Sequence, residues 1–221
     1  MKKSFWFLFF GFLLLATSGV SDTAAAGPPA FNLRFNIQLR DNVSVNMGAI
    51  ILINPRHFRD GRTILVLNGT AQTANTFIPL AETLLSDETG TKVAAMILLN
   101  YPGHGNSSLT VGIRFGDLTV NDYVTSLIES LNRLSNFPPF LRPDTLLGHS
   151  LGAEIIQLAQ NRLVSQGTSL RARFGIKSAA FLVPDIAAPL QWDFTNRAGD
   201  ILTALGLVQN DPQLGPILVA P

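Results

Sequence analysis

Two apolar runs, Thr63–Leu67 (TILVL) and Val93–Leu99 (VAAMILL), lack the polar-apolar alternation of a strand with one wet face. Such runs suit strands covered on both sides, as a parallel sheet requires. Thr145–Leu147 and Ile176–Val183 have the same character. The stretches between them carry helical periodicity instead. Phe77, Leu80, Ala81, Leu84 and Leu85 share one helical face. Val120, Tyr123, Val124, Leu127, Ile128, Leu131 and Leu134 share another, with Asp117 or Thr119 as the cap. A third helix is expected over Leu151–Val164. Strand-helix alternation implies βαβ units and an α/β fold, a doubly wound, mostly parallel sheet with flanking helices.

The first strands read differently. Phe31, Leu33, Phe35, Ile37 and Leu39 alternate with polar residues up to Arg40, as in a half-buried strand. Asp41-Asn42 then turns the chain into a second strand, Val43–Ile53, predicting an antiparallel pair. After Pro184 the regularity fades. Pro189, Pro212, Pro216 and Pro221 punctuate this stretch, Ile201–Leu207 is one short helix candidate, and no further strand is expected. The sheet is therefore expected to be incomplete after about the sixth strand. On this reading residues 27–184 form the core and 185–221 begin a lid.

Composition narrows the function classes. With 221 residues and 47% hydrophobic content, the chain is long enough for one domain with a substantial core. It has no cysteine, which removes disulfide, zinc-thiolate and cysteine-nucleophile chemistry. The three histidines, His57, His104 and His149, have no metal-ligand spacing, so neither a metal nor a cofactor is expected. Lys2 and Lys3 precede the apolar run Phe5–Ala16, and Ala24-Ala25-Ala26 forms an A-x-A-like cleavage site. That run is shorter than the roughly 20 residues of a bilayer span, so residues 1–26 read as a cleaved signal peptide that leaves no stable membrane span. Removing Lys2, Lys3 and Asp22 from 16 basic and 15 acidic residues leaves no net charge. No basic field for nucleic acid remains. An exported chain without cysteine fits a bacterial periplasm or medium.

The chemistry-bearing motif is Gly148-His149-Ser150-Leu151-Gly152, set between an apolar strand and an apolar-periodic helix. A serine there is expected on a tight, strained strand-to-helix turn that leaves its hydroxyl above the sheet. The two glycines remove side chains where strand and helix approach most closely. A helix beginning at the serine directs its dipole and free amides toward developing negative charge, and the Leu151 N–H is one candidate oxyanion donor. The strand TILVL ends in Asn68-Gly69-Thr70-Ala71, where Thr70 N–H is the second candidate donor and Ala71 its alternative. The next strand runs into Asn100-Tyr101-Pro102-Gly103-His104-Gly105-Asn106-Ser107. Ser108 replaces the third glycine of a dinucleotide fingerprint and no helix follows at once, so a rim turn is expected, from which His104 either reaches substrate or, on the plainer reading, is an exposed loop residue.

Three segments in this order, LVLNGT, NYPGHGNSS and LLGHSLGAE, resemble the α/β-hydrolase superfamily, particularly its esterase, lipase and haloperoxidase-like branches. The resemblance spans roughly Phe31 to Pro184. It implies Ser150 as nucleophile, the Leu151 and Thr70 amides as oxyanion hole, and a small-molecule ester or acyl substrate. Asn68 stands where the family commonly has histidine, and Asn100 where it commonly has aspartate. The family's acid and histidine follow later strands. Asp185 matches a minority position for the acid, and also reads as a turn residue opening the lid. No histidine follows His149, which adjoins the serine and is expected to point away from it. The chain is therefore expected to stop before its catalytic histidine and to be nearly inactive as written. The alternatives are a non-catalytic binding protein on a degenerate hydrolase fold, or an acyltransferase or haloperoxidase of the same fold.

Overall fold

The computed structural model describes residues 27–70 and 72–182, together with the backbone of residues 208–211 and 215–218. Strand β1 (Ala30–Arg40) pairs antiparallel with β2 (Val43–Ile53) through Asn42, which takes the left-handed φ of 60°. Asparagine tolerates that conformation better than most residues, so the turn forms where the sequence puts it. Strands β3 (Arg62–Leu67) and β4 (Val93–Leu99) follow, then β5 (Ser108–Leu109), β6 (Thr145–His149) and β7 (Ser178–Leu182). The sheet has seven strands in the order β1-β2-β4-β3-β6-β7, with β5 on β2. β3, β4, β6 and β7 are mutually parallel, and β2 meets β4 antiparallel. A mostly parallel sheet with an antiparallel N-terminal edge is thus present.

Apolar continuity explains the middle of the sheet. All seven residues of β4 are buried, and so are Leu65, Val66 and Leu67 of β3. Helix α1 (Ile78–Leu85) covers one face with Ala81 and Leu85, joined by Phe77 from the 3₁₀ turn before it. Helices α2 (Val120–Leu134) and α3 (Leu151–Ser165) cover the other. Thr119, not Asp117, caps α2: its hydroxyl accepts from Asp122 N–H while the Asp122 carboxylate accepts from Thr119 N–H, a reciprocal capping box. Asp122 also pairs with Arg40 at 3.1 Å, tying the helix to the end of β1.

Four features differ from the sequence expectation. β5 was not foreseen, because two residues carry no period, yet it pairs with Val45 and Asn46 of β2. A short helix α4 (Leu170–Phe174) ends at Gly175, φ 75°, which delays β7 to Ser178. β7 is not covered on both faces: Phe181 is 42% and Leu182 39% exposed. Beyond Pro184, where no strand was expected, β8 (Val208–Asp211) and β9 (Gly215–Leu218) form a separate antiparallel pair. Residues 1–26, Ala71, Asp185 and the helix candidate Ile201–Leu207 lie outside the described residues. Among the described residues no helix is long and apolar enough to cross a membrane.

Candidate active site

Because β3, β4 and β6 are parallel, their C-terminal ends share one edge of the sheet, with Leu67 beside both Leu99 and Gly148. The loops after β3 and β4 and the turn after β6 therefore meet there. Ser150 occupies that last turn with φ 50° and ψ −121°. Neither the helical nor the common left-handed region includes this pair of angles, so the residue stores roughly 1–3 kcal/mol of strain. Close packing enforces the turn. A Cβ on Gly148 would lie 2.6 Å from Ala153 Cα, and one on Gly152 would lie 2.8 Å from the Leu67 carbonyl carbon. The turn is held from both sides: Ser150 N–H donates to Leu182 O at 3.2 Å, and Ala153 N–H donates to Ser150 O at 2.9 Å.

Ser150 is half-buried, and its side chain does not cap α3. Leu151 begins α3, and among the described residues nothing accepts a hydrogen bond from its N–H. The residue that the β3 loop brings against the serine is Gly69, where an added Cβ would lie 3.0 Å from Ser150 Cβ and 2.9 Å from His149 Nδ1. Gly69 N–H is already committed to Gln72 Oε1 at 2.9 Å. The exposed Thr70 is next in line, and its N–H has no acceptor among the described residues. Gln72 closes the loop twice more, by accepting from Asn68 Nδ2 and by donating its N–H to Gly69 O at 3.3 Å. Neither the motif nor the periodicity singled out Gln72. No spacing rule marks a glutamine that folds back on a loop three residues earlier.

The three histidines sit in three different surroundings. His149 sits at the end of β6 with its ring edge-on to Phe77 at 5.8 Å, and its Nδ1 is buried without a partner. His104 is not the exposed loop residue expected: it is half-buried, with Nδ1 3.2 Å from Pro102 O and its ring 6.1 Å from that of Tyr101. Its burial follows from the turn Tyr101–His104, closed by His104 N–H to Tyr101 O at 2.9 Å, which folds the ring back onto the tyrosine. Tyr101 itself is wholly buried, which raises its hydroxyl pKa well above the ordinary value and keeps it neutral. His57 lies after β2, near the starts of β3 and β4, between Asp87 at 3.2 Å and Asp60 at 3.5 Å. None of the three hydrogen-bonds Ser150. Among the described residues no group of three His, Asp or Glu side chains is placed to hold a metal ion. A cleft of about 330 Å³ beside β7, walled by Ile156, Leu170, Ile176 and Phe181, contains none of these site residues.

The fold that carries this strained serine has structural counterparts. The chain aligns with a putative hydrolase from Agrobacterium vitis S4 at a TM-score of 0.51 and 17% identity, covering 87% of this chain and 69% of that one. It aligns with the peroxisomal alpha-beta-hydrolase Lpx1 from Saccharomyces cerevisiae at 0.53 and 9%, covering 82% and 62%. A bacterial brefeldin A esterase matches at 0.50 and 14%, covering 91% and 52%. The fold is that of the α/β-hydrolases. No family model and no curated relative matches the sequence. At these identities the α/β-hydrolase likeness is one of architecture, and the chain spans 52% to 69% of the length of these three proteins.

Proposed function

We propose that the chain is a serine hydrolase of carboxylic ester or acyl substrates, with Ser150 as nucleophile and the Leu151 and Thr70 amides as oxyanion donors. The observation that carries this reading is the backbone of Ser150, φ 50° and ψ −121°, at the start of α3. Strain of this kind persists only where packing over-determines it, and it gathers at reacting groups. In the proposed reaction Ser150 Oγ bonds to the substrate carbonyl carbon, its proton passes to a general base, and the carbonyl oxygen becomes an anion facing the two amides. Collapse expels the alcohol or amine, and water then releases the acid. Asp185 stays a candidate acid. Residues 1–26 are proposed to export the chain, so the mature protein recovered from a periplasmic or culture fraction should begin at Gly27 by mass.

The described residues bring no histidine to Ser150, and this favours a second reading: a non-catalytic ligand-binding protein on the same fold. Magnitudes separate the two. Loss of the base from a serine triad costs on the order of 10⁴ to 10⁶ in turnover, yet oxyanion donors alone retain roughly 10³ to 10⁴ over water. The test is a time course with a fluorophosphonate probe on the full chain and on Ser150→Ala. Slow labelling that maps to Ser150 and vanishes in the variant supports the hydrolase. A full chain as inert as Ser150→Ala after prolonged exposure leaves the binding reading. With labelling in hand, a series of p-nitrophenyl esters of increasing acyl length would define the substrate class.

A further inference from the structure

Asn100 is 2% exposed, directly after β4, and its amide joins the loop after β3, whose Gly69 meets Ser150, to the loop after β4. On one side Asn100 Oδ1 accepts from Ala74 N–H at 2.7 Å, at the end of the β3 loop. On the other, Asn100 Nδ2 donates to Asn106 Oδ1 at 2.6 Å, in the loop after β4. Ala74 offers only an N–H, so an oxygen must face it and the nitrogen must face Asn106. The direction continues outward: Asn106 Nδ2 donates to Asn32 Oδ1 at 3.4 Å. The Asn100 main chain is fixed as well. Its N–H donates to Gly48 O at 3.0 Å, and its carbonyl accepts from Ser107 Oγ at 3.1 Å. Gly105, φ 52°, passes so close that an added Cβ would lie 2.5 Å from Asn100 Oδ1. A side chain at position 105 and the Asn100 amide therefore exclude one another.

We propose that Asn100 is a positioning residue that couples the two loops and holds the loop after β3 at the depth where the Thr70 amide faces Ser150. This inference rests on the reading of Ser150 as nucleophile for its consequence, but the coupling can be measured without turnover. An amide is required because the position must accept on one side and donate on the other. Aspartate keeps the acceptor for Ala74, and it meets Asn106 only where that amide turns over and gives up its bond to Asn32.

The experiment is hydrogen exchange by mass spectrometry on the full chain, its Asn100→Ala and Asn100→Asp variants, and Asn106→Ala, with Ser150 phosphonylation rates measured in parallel. Asn100→Ala should speed exchange in residues 69–77 by about tenfold, as expected for loss of one buried hydrogen bond, while residues 145–149 keep their protection. Asn100→Asp, which retains the acceptor, should restore most of the protection in 69–77 and leave 101–108 loosened. Asn106→Ala should loosen 69–77 through Asn100 alone, by less than Asn100→Ala does. Phosphonylation of Ser150 should fall about tenfold in Asn100→Ala and recover in Asn100→Asp. Equal exchange in 69–77 for wild type and Asn100→Ala overturns the coupling, and so does an Asn100→Asp variant that loosens 69–77 as much as alanine. If Ser150 proves inert in every variant while the exchange pattern holds, the coupling stands and the nucleophile reading falls.

Discussion

The two ends of the parallel strands are built on opposite terms. At the N-terminal ends of β3 and β4, charged side chains close around one another. Lys92 Nζ lies 2.7 Å from Asp60, His57 bridges Asp60 and Asp87, Arg56 pairs with Asp87, and Asn54 Nδ2 donates to Asp87 at 3.0 Å. Hydrogen bonds from Lys92 and from Arg56 hold the carboxyls of Asp60 and Asp87, respectively, below the ordinary aspartate value. At the C-terminal ends the polar side chains are amides, hydroxyls and an imidazole, and two of them keep an unpartnered buried atom. Asn68 Oδ1 and His149 Nδ1 are buried without partners, and Ser150 is strained. Native structures pair nearly all buried polar atoms; of the four described exceptions, two (Asn68 Oδ1 and His149 Nδ1) belong to the loop and turn that meet at Ser150, and the others are Asn46 Oδ1 and Tyr101 Oη. The charged end secures strand ends, and the neutral end carries the strained serine.

That contrast is broken most severely at Gly152. Its Cβ position is already filled by the main chain of Leu67, which cannot move without disturbing the centre of the sheet. Gly152→Val should cost roughly 3 kcal/mol in urea unfolding, the upper range for overpacking. Gly116, where an added Cβ meets nothing within 4 Å, supplies the control, and Gly116→Ala should stay within about 0.5 kcal/mol of wild type. A mild Gly152→Val would mean that strand and helix do not meet at the turn as described.

A smaller effect, of opposite sign, is expected at the serine. Ser150→Gly removes the conflict between a side chain and φ 50°, and should stabilise the fold by about 1 kcal/mol after the entropy that glycine adds to the unfolded chain. All labelling at position 150 should disappear in the same variant. A gain in stability bought with loss of reactivity would mark the site as selected for something other than folding. If Ser150→Gly unfolds at lower urea than wild type, the strain is not there.

Much of the layered architecture was legible because parallel strands demand unbroken apolar runs, and TILVL and VAAMILL supply them. The capped helix 120–134 was legible from its 3.6-residue period. β5 and α4 were not, since two and five residues are too short to carry a period. The exposed face of β7 was misread for a related reason: Ser178–Leu182 is apolar enough to look buried, and exposure depends on neighbours that a local run does not encode. At the site, the turn was legible from two glycines and a serine between a strand and a helix. The latch made by Gln72 and the staple made by Asn100 were not. Both depend on which loop lies beside which, and Asn100 stood out in the sequence only as a departure from aspartate.

The smallest expected effect lies at the charged end, and its sign follows from the lowered carboxyl values. Asp87 and Asp60 titrate below the ordinary aspartate value, so each contributes stability that is complete above that value and is lost as the pH falls through the lower, folded value. Asp87→Asn deletes this contribution. The stability difference between wild type and variant should therefore be level above about pH 5 and shrink below about pH 4. Both carboxylates are solvent-exposed, so the difference should also shrink in about 1 M salt, where the screening length is near 3 Å. Reactivity of Ser150 toward the probe should be unchanged in Asp87→Asn, because the substitution lies at the opposite ends of the strands. A variant whose deficit persists unchanged to pH 2 would show that Asp87 acts through the shape of its hydrogen bonds to Asn54 rather than through charge. A change in Ser150 labelling would show that the two ends are not independent.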